Sequence, residues 1–291
     1  MKPRVAITVG DPSGIGPEIA QKAAADERVR AVCEPVLYGP PNAVAFPPGV
    51  VSAEAGRAAY ESICSAVRDA QAGVVHAIAT APVSKLAFAR AGLAWKGHTD
   101  LLAHLTGSSC VAMMFWSEPL KVVLASVHVA LAEVPRALTR SALDDVVSLA
   151  ASELPRFGIA RPRLALAGLN PHAGEHGLLG SEEEQILRPA VEAACARGID
   201  IAGPFPADTL FVRAARGEFD AVIACYHDQG LIPVKLLAFG QAVNVTLGLP
   251  IVRTSVDHGT AFDIAGQGKA DPSSMIAATL LAARLAARSR A

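Results

Sequence analysis

The sequence predicts an α/β fold whose strands are mostly buried on both faces, and three observations carry that expectation. Short apolar runs rich in valine, isoleucine and leucine recur along the chain. Longer stretches with apolar residues at helical spacing separate them. No run approaches the roughly 20 apolar residues that a membrane-spanning helix requires.

In chain order the strand candidates are VAITV, PVLYG, VVHAIAT, CVAMMFW, KVVLASV, RLALAG, DAVIAC and AVNVT. The opening MKPRVAITVG is too short in its apolar part for a secretory leader and reads as the first strand. The segment GPPNAVAFPPG, Gly39 to Gly49, holds four prolines and reads as a surface connection. Helical spacing predicts helices over Thr139 to Leu154 and Ser181 to Arg197, the second opened by a Ser181/Glu184 capping box and kinked at Pro189. A last helix is expected from Asp271, with Pro272 in its first turn, nearly to the C-terminus. With no obvious linker, residues 1–291 read as one unit of two α/β lobes, about 1–95 plus 268–291 and 96–267, sharing a sheet and holding the site in a cleft.

Composition excludes whole classes of partner. The 291 residues carry 26 basic and 27 acidic side chains, a formal charge of -1, with no long run of one sign. Nucleic acid and anionic membrane therefore have no electrostatic footprint, and a small molecule is the expected partner. Five cysteines (Cys33, Cys64, Cys110, Cys195, Cys225) are odd in number and form no CxxC pair, which fits a reducing, cytoplasmic setting.

Ligands of α/β sheets bind beyond the carboxyl ends of strands, so the residues after each apolar run are the ones to inspect. Three runs end in a histidine: His128 after KVVLASV, His172 after RLALAGLNP, and His227 after DAVIACY. Three imidazoles converging from strand ends suit zinc or a similar divalent ion with positions left open for substrate. Taken singly, each reads more readily as an ordinary polar residue at a loop entrance, and it is the recurrence after three strands that points to a metal. Asp228 and Asp208 are candidates for orienting the imidazoles, or for turn and cap chemistry.

Other motifs are less specific. GDPSGIGPE, Gly10 to Glu18, joins the first strand to a helix and reads either as an anion-facing helix start or as a tight turn with Pro17 in the first helical turn. It completes neither a Walker A loop nor GxGxxG. Lys235 and Arg253, on either side of AVNVT, and Asn244 within it are candidate anion partners. WKGHTD places His98 and Thr99 in a compact polar stretch, with Thr99 a candidate helix cap.

Together, GDPSGIGPE, GHTD, NPHAGEHGLLGSEE, GPFPADTLF, YHDQGLIPVK and VNVTLGLPIVRTSVDHGTAFDIAGQGKAD closely resemble the PdxA family, the 4-hydroxythreonine-4-phosphate dehydrogenases of pyridoxal phosphate biosynthesis. That resemblance implies an isocitrate/isopropylmalate dehydrogenase-like fold, a homodimer with a shared active site, NAD or NADP as hydride acceptor, and a divalent metal (Zn, Co or Mg). It marks His128, His172 and His227 as metal ligands shared between dimer partners. His98, Thr99, Lys235, Asn244 and Arg253 become substrate contacts, with Lys235 or a water held by Asp228 as the base. The loop DHGTAFDIAGQGKADP also resembles the nucleotide loop of isopropylmalate and isocitrate dehydrogenases, which places His258, Gly259, Thr260 and Ala261 near the cofactor.

The implied reaction oxidises 4-phosphohydroxy-L-threonine at C3, and the keto acid then loses carbon dioxide to give 3-amino-2-oxopropyl phosphate. Two departures, a short region between Pro40 and Glu61 and Asp100 where the family usually has glutamate, leave open a paralogue acting on D-threonate or D-erythronate 4-phosphate. Dihydrodiol dehydrogenases also resemble the family, but Asn244 and Arg253 beside Lys235 favour a phosphorylated substrate. From another class, a phosphotransacetylase-like acyltransferase shares a related fold without a histidine-bound metal.

Overall fold

Apolar runs become strands at each of the eight expected places. The computed structural model describes residues 1–41 and 46–289. Among these the strands are β1 (Arg4–Thr8), β2 (Glu34–Tyr38), β3 (Ala77–Thr80), β4 (Ala112–Trp116), β5 (Lys121–Leu124), β6 (Leu164–Ala167), β7 (Ile201–Phe205), β8 (Ala221–Ala224), β9 (Val243–Leu247) and β10 (Arg253–Ser255). The helices are α1 (Gly16–Ala25), α2 (Glu27–Val32), α3 (Ala53–Gln71), α4 (Lys85–Arg90), α5 (His98–Thr106), α6 (Val134–Ala137), α7 (Arg140–Glu153), α8 (Arg188–Ala196), α9 (Ala207–Ala215), α10 (His227–Ala238) and α11 (Ser273–Arg288). Only β7 and β10 lie outside the expected runs. Both are poor in apolar β-formers, reading IAGPF and RTS.

The chain divides into two compact units, Met1–Ser109 with Val243–Ala291, and Cys110–Ala242. These boundaries replace the lobe limits expected near residues 95 and 267, because β9, β10 and the loop after them belong with the first unit. In the first unit the strand order is β2-β1-β3-β10-β9, parallel except for the antiparallel β10/β9 pair. In the second it is β4-β5-β8-β6-β7, parallel except for the β4/β5 hairpin. Every residue of β3, β6 and β8 is buried, as strands covered on both faces require. The second unit's core gathers Phe115, Leu124, Leu210, Val222 and Val234.

Local chemistry explains most helix ends. Thr139 caps α7, its hydroxyl accepting from the Ala142 N–H at 3.1 Å. The capping box at Ser181 does not form: a π-helical turn, Glu183–Leu187, precedes α8, and Glu184 instead pairs with Arg188 at 2.9 Å. Pro189 stands in the first turn of α8, where its missing N–H costs no helical hydrogen bond. Thr99 lies within α5, whose cap position is Gly97. The last helix starts at Ser273, with Asp271 accepting from its N–H at 2.9 Å and Pro272 at the cap position. Of the expected surface connection, residues 42–45 lie outside the described residues.

Candidate active site

Three neighbouring strands of the second unit, β5, β8 and β6, each hand over one of the candidate histidines. Their ends are laced together. The buried Ser126 hydroxyl donates to the Cys225 carbonyl at 2.7 Å. Gln229 accepts from the Cys225 N–H at 2.6 Å and donates to the Gly168 carbonyl at 2.7 Å. The Gln of the YHDQ stretch is thus structural, fixing the strand end that releases His227 as the first residue of α10.

The imidazoles are held in unusual backbone. His128 and His172 have φ of 51° and 52°, the left-handed region that residues other than glycine seldom adopt. Residues His172 to His176 remain left-handed in succession, an arrangement that L-residues disfavour. One buried carboxylate anchors the entry to that turn. Glu183 accepts from the Leu169 and Asn170 N–H groups at 2.8 and 2.7 Å, and its second oxygen accepts from the Asn170 amide at 2.8 Å. Strained backbone that the surroundings over-determine marks functional positions.

His128 and His227 face each other with ring centroids 5.7 Å apart. Asp228 accepts from His227 Nδ1 at 2.7 Å, which leaves the Nε2 lone pair of that ring for a ligand. Borderline nitrogen donors of this kind fit a divalent ion such as zinc. Among the described residues no group of three His, Cys, Asp or Glu side chains gathers to hold an ion. Asp208 stands exposed in the first turn of α9 without a hydrogen bond to an imidazole among the described residues. Lys235 lies partly buried on α10.

The first unit builds a different surface. Register aligns Thr8 with Thr80, Thr80 with Ser255, and Ser255 with Asn244. Partners in register share a sheet face, so a polar row crosses the ends of four strands. Beneath it lies Arg253, 2 % exposed, with no carboxylate within ion-pair distance among the described residues. Its Nε and Nη2 donate to Thr80 Oγ1 at 3.2 and 2.8 Å, and its Nη1 donates to Thr246 Oγ1 at 2.9 Å. Burial pushes the guanidinium pKa down to about 9, still above neutrality.

Three polar atoms of this surface are closed to solvent and have no partner among the described residues: Thr8 Oγ1, His98 Nε2 and Asn244 Oδ1. Burial first, and the Arg253 charge second, hold His98 well below the ordinary imidazole pKa, so the ring is neutral. A buried cation with neutral neighbours and orphaned hydrogen-bonding groups is the makeup of an anion-binding site. Thr80 and Thr246 line it through their hydrogen bonds to Arg253, although nothing in their local sequence sets them apart from ordinary strand threonines.

The two glycine-rich motifs back each other. The Ile15 N–H donates to the Thr260 carbonyl at 2.9 Å, and Glu18 accepts from the Ala270 N–H at 3.0 Å. Lys22 ties the same loop through the Gly268 and Ala270 carbonyls. Ser13 and Gly14 direct their N–H groups at Asp11, so GDPSGIGPE is the tight turn and not an anion cradle. Closeness explains its glycines: a Cβ on Gly10 would lie 2.1 Å from the Pro82 carbonyl, and one on Gly16 1.9 Å from that of Val9. The supported loop presents His258, Gly259, Thr260 and Ala261, the last at φ 41°.

An α/β sheet scaffold with paired imidazoles on strand ends, a separate buried cation and a braced glycine-rich loop defines a protein built to handle a small anionic substrate. The family described as "Pyridoxal phosphate biosynthetic protein PdxA" matches residues 14–282. A D-threonate 4-phosphate dehydrogenase from Pectobacterium atrosepticum is 44% identical over 97% of this chain and 99% of its own. A 4-hydroxythreonine-4-phosphate dehydrogenase from Geobacter metallireducens is 43% identical over 98% and 96% respectively. The crystal structure of a 4-hydroxythreonine-4-phosphate dehydrogenase from Klebsiella pneumoniae superimposes with TM-score 0.89 at 41% identity, covering 98% of both chains. At the level of fold alone, the likeness extends to a beta-decarboxylating dehydrogenase (TM-score 0.54, 16% identity) and a EutD phosphotransacetylase (0.56, 12%). The chain belongs to the PdxA family.

Proposed function

We propose that this protein is a metal- and NAD(P)-dependent dehydrogenase that oxidises a secondary alcohol next to a phosphorylated carbon, with 4-phosphohydroxy-L-threonine as substrate. The observation that carries the reading is the buried Arg253, which has no carboxylate within ion-pair distance among the described residues and is a cation waiting for a substrate anion. Relatives named for this activity support it.

In this reading His128 and His227, with His172, hold the divalent ion, and the ligand set is shared between two copies of the chain. That ion would supply Lewis acidity at the substrate oxygen, and a nicotinamide on the His258 to Ala261 loop would accept the hydride. The chain's own groups do the rest. Arg253 and Asn244 fix the anionic end, His98 and Thr99 orient the carbon chain, and Lys235 takes the hydroxyl proton. Asp228 is committed to His227 by its 2.7 Å hydrogen bond, which supports an orienting task for it and leaves the base to Lys235.

Exposed apolar residues support the homodimer. Ile232 and Leu236 of α10, one helical turn apart on one face, are 66% and 83% exposed, and Phe239, just past the helix end, is 81% exposed. Leu131 and Leu178, just beyond His128 and His172, are exposed as well. A second copy of the chain is the occupant that would both cover this surface and complete the ligand set.

The second reading, oxidation of D-threonate 4-phosphate, is favoured by the Pectobacterium relative and shares every group named above. The deciding experiment follows NADH absorbance with zinc- or cobalt-loaded protein and each phosphorylated substrate in turn. Turnover with the amino acid alone supports the biosynthetic activity, turnover with the sugar acid alone supports the second reading, and silence with both rejects the dehydrogenase reading for these phosphorylated substrates.

A further inference from the structure

Of the five N–H bonds on a guanidinium, the described residues commit three of Arg253's: Nε and one from Nη2 to Thr80, and one from Nη1 to Thr246. One N–H remains on each terminal nitrogen. Thr80 is saturated by this duty. Its oxygen accepts twice from Arg253, and its single hydrogen points to Ser255 Oγ at 2.9 Å. A buried guanidinium is ordinarily neutralised by a carboxylate, because an uncompensated buried charge is costly. Here the two acceptors are hydroxyls, which fix the plane of the cation and leave its charge intact.

We propose that Thr80 and Thr246 are the positioning residues of Arg253, holding it with neutral acceptors so that its charge and one N–H on each terminal nitrogen are reserved for an oxyanion of the ligand. The inference deepens the reading of Arg253 as the substrate's anion partner. It adds a rule of selectivity: the site accepts a ligand that brings a phosphate or carboxylate and rejects the neutral analogue, since only the former satisfies both the charge and the bidentate fork. Strand register makes the arrangement possible, because β3 and β9 flank β10 and present their threonines on the Arg253 face.

The test titrates full-length protein with inorganic phosphate and, separately, with acetate, by calorimetry. For whichever anion wild type binds more tightly, Thr80→Val and Thr246→Val are expected to weaken binding at least tenfold, and Thr80→Ser to stay within about threefold, because the hydroxyl is what matters. Thr246→Asp supplies an internal carboxylate, so it should abolish anion binding while its melting temperature equals or exceeds wild type; a merely structural threonine would not give that pairing. Unchanged anion binding in the valine variants, retained binding in Thr246→Asp, or failure of wild type to bind either anion would overturn the proposal. Turnover assays on wild type stand apart: the expected anion pattern without dehydrogenase activity upholds the positioning role and rejects only the proposed reaction.

Discussion

Through a single oxygen, Glu183 accepts the main-chain N–H of Asn170 at 2.7 Å, and of Leu169 beside it, at the mouth of the left-handed turn that carries His172. Removing the side chain would leave two partly buried N–H donors without an acceptor and the Asn170 amide with Glu182 alone. Glu183→Ala is therefore expected to lower unfolding stability by about 3 kcal/mol, with Glu183→Gln less harmful because one oxygen remains. Urea denaturation measures it; a loss under about 0.5 kcal/mol, the range of an ordinary surface change, would mean that the turn is held by other contacts.

His98 predicts the direction of an acid effect. Its folded-state pKa is depressed, chiefly by burial, so below the ordinary imidazole value near 6.5 the unfolded chain binds a proton that the folded chain refuses. The neutral ring's contribution is present above that value and is lost as pH falls from it toward the folded pKa. His98→Asn should flatten the fall in stability between pH 7 and 5 by about 1 kcal/mol. Parallel stability curves for variant and wild type would show that the ring titrates normally.

Asp228 fixes the tautomer of His227. Asp228→Asn leaves the shape intact but weakens the acceptor, and about a 10- to 100-fold loss of zinc affinity is expected. Competition with a chromophoric chelator reads this without any assay of turnover. An unchanged zinc affinity would contradict the orienting task.

The face of α10 makes a prediction about assembly. Leu236→Glu places a charge in the most exposed position of that stripe, where Leu236 is 83% exposed. Should a second copy cover it, sedimentation velocity will show the variant shifted to monomer at concentrations where wild type is dimeric, with zinc binding reduced alongside. A variant that sediments like wild type would move the interface elsewhere.

How much of this was legible beforehand depends on whether a residue's meaning is local. The apolar runs that became β3, β6 and β8 announce themselves because burial on both faces selects the same few side chains. The strand β10 does not, since RTS is polar and its burial follows from neighbours far away in the chain. The three histidines are visible as residues that follow strands, whereas the left-handed backbone at His172 is not, because nothing in NPHAGEHG states that Glu183 will hold it. Ser181 and Glu184 spelled a capping box, yet the backbone took a π-helical turn in which Glu183 points inward. Arg253 stood out by its charge; Thr80 and Thr246 gained their meaning only from register.

That dependence on register has an outcome for the maturing chain. A slip of β3 by one residue against β10 would turn Thr80 to the opposite face and dismantle the cradle around Arg253. An anion that binds the cradle therefore rewards only the correctly threaded sheet, by about 2.7 kcal/mol when present at a hundredfold its dissociation constant. If the cradle binds phosphate as proposed, phosphate in the surroundings acts as a proofreader of folding, because mis-threaded molecules gain nothing from it and stay open to proteolysis.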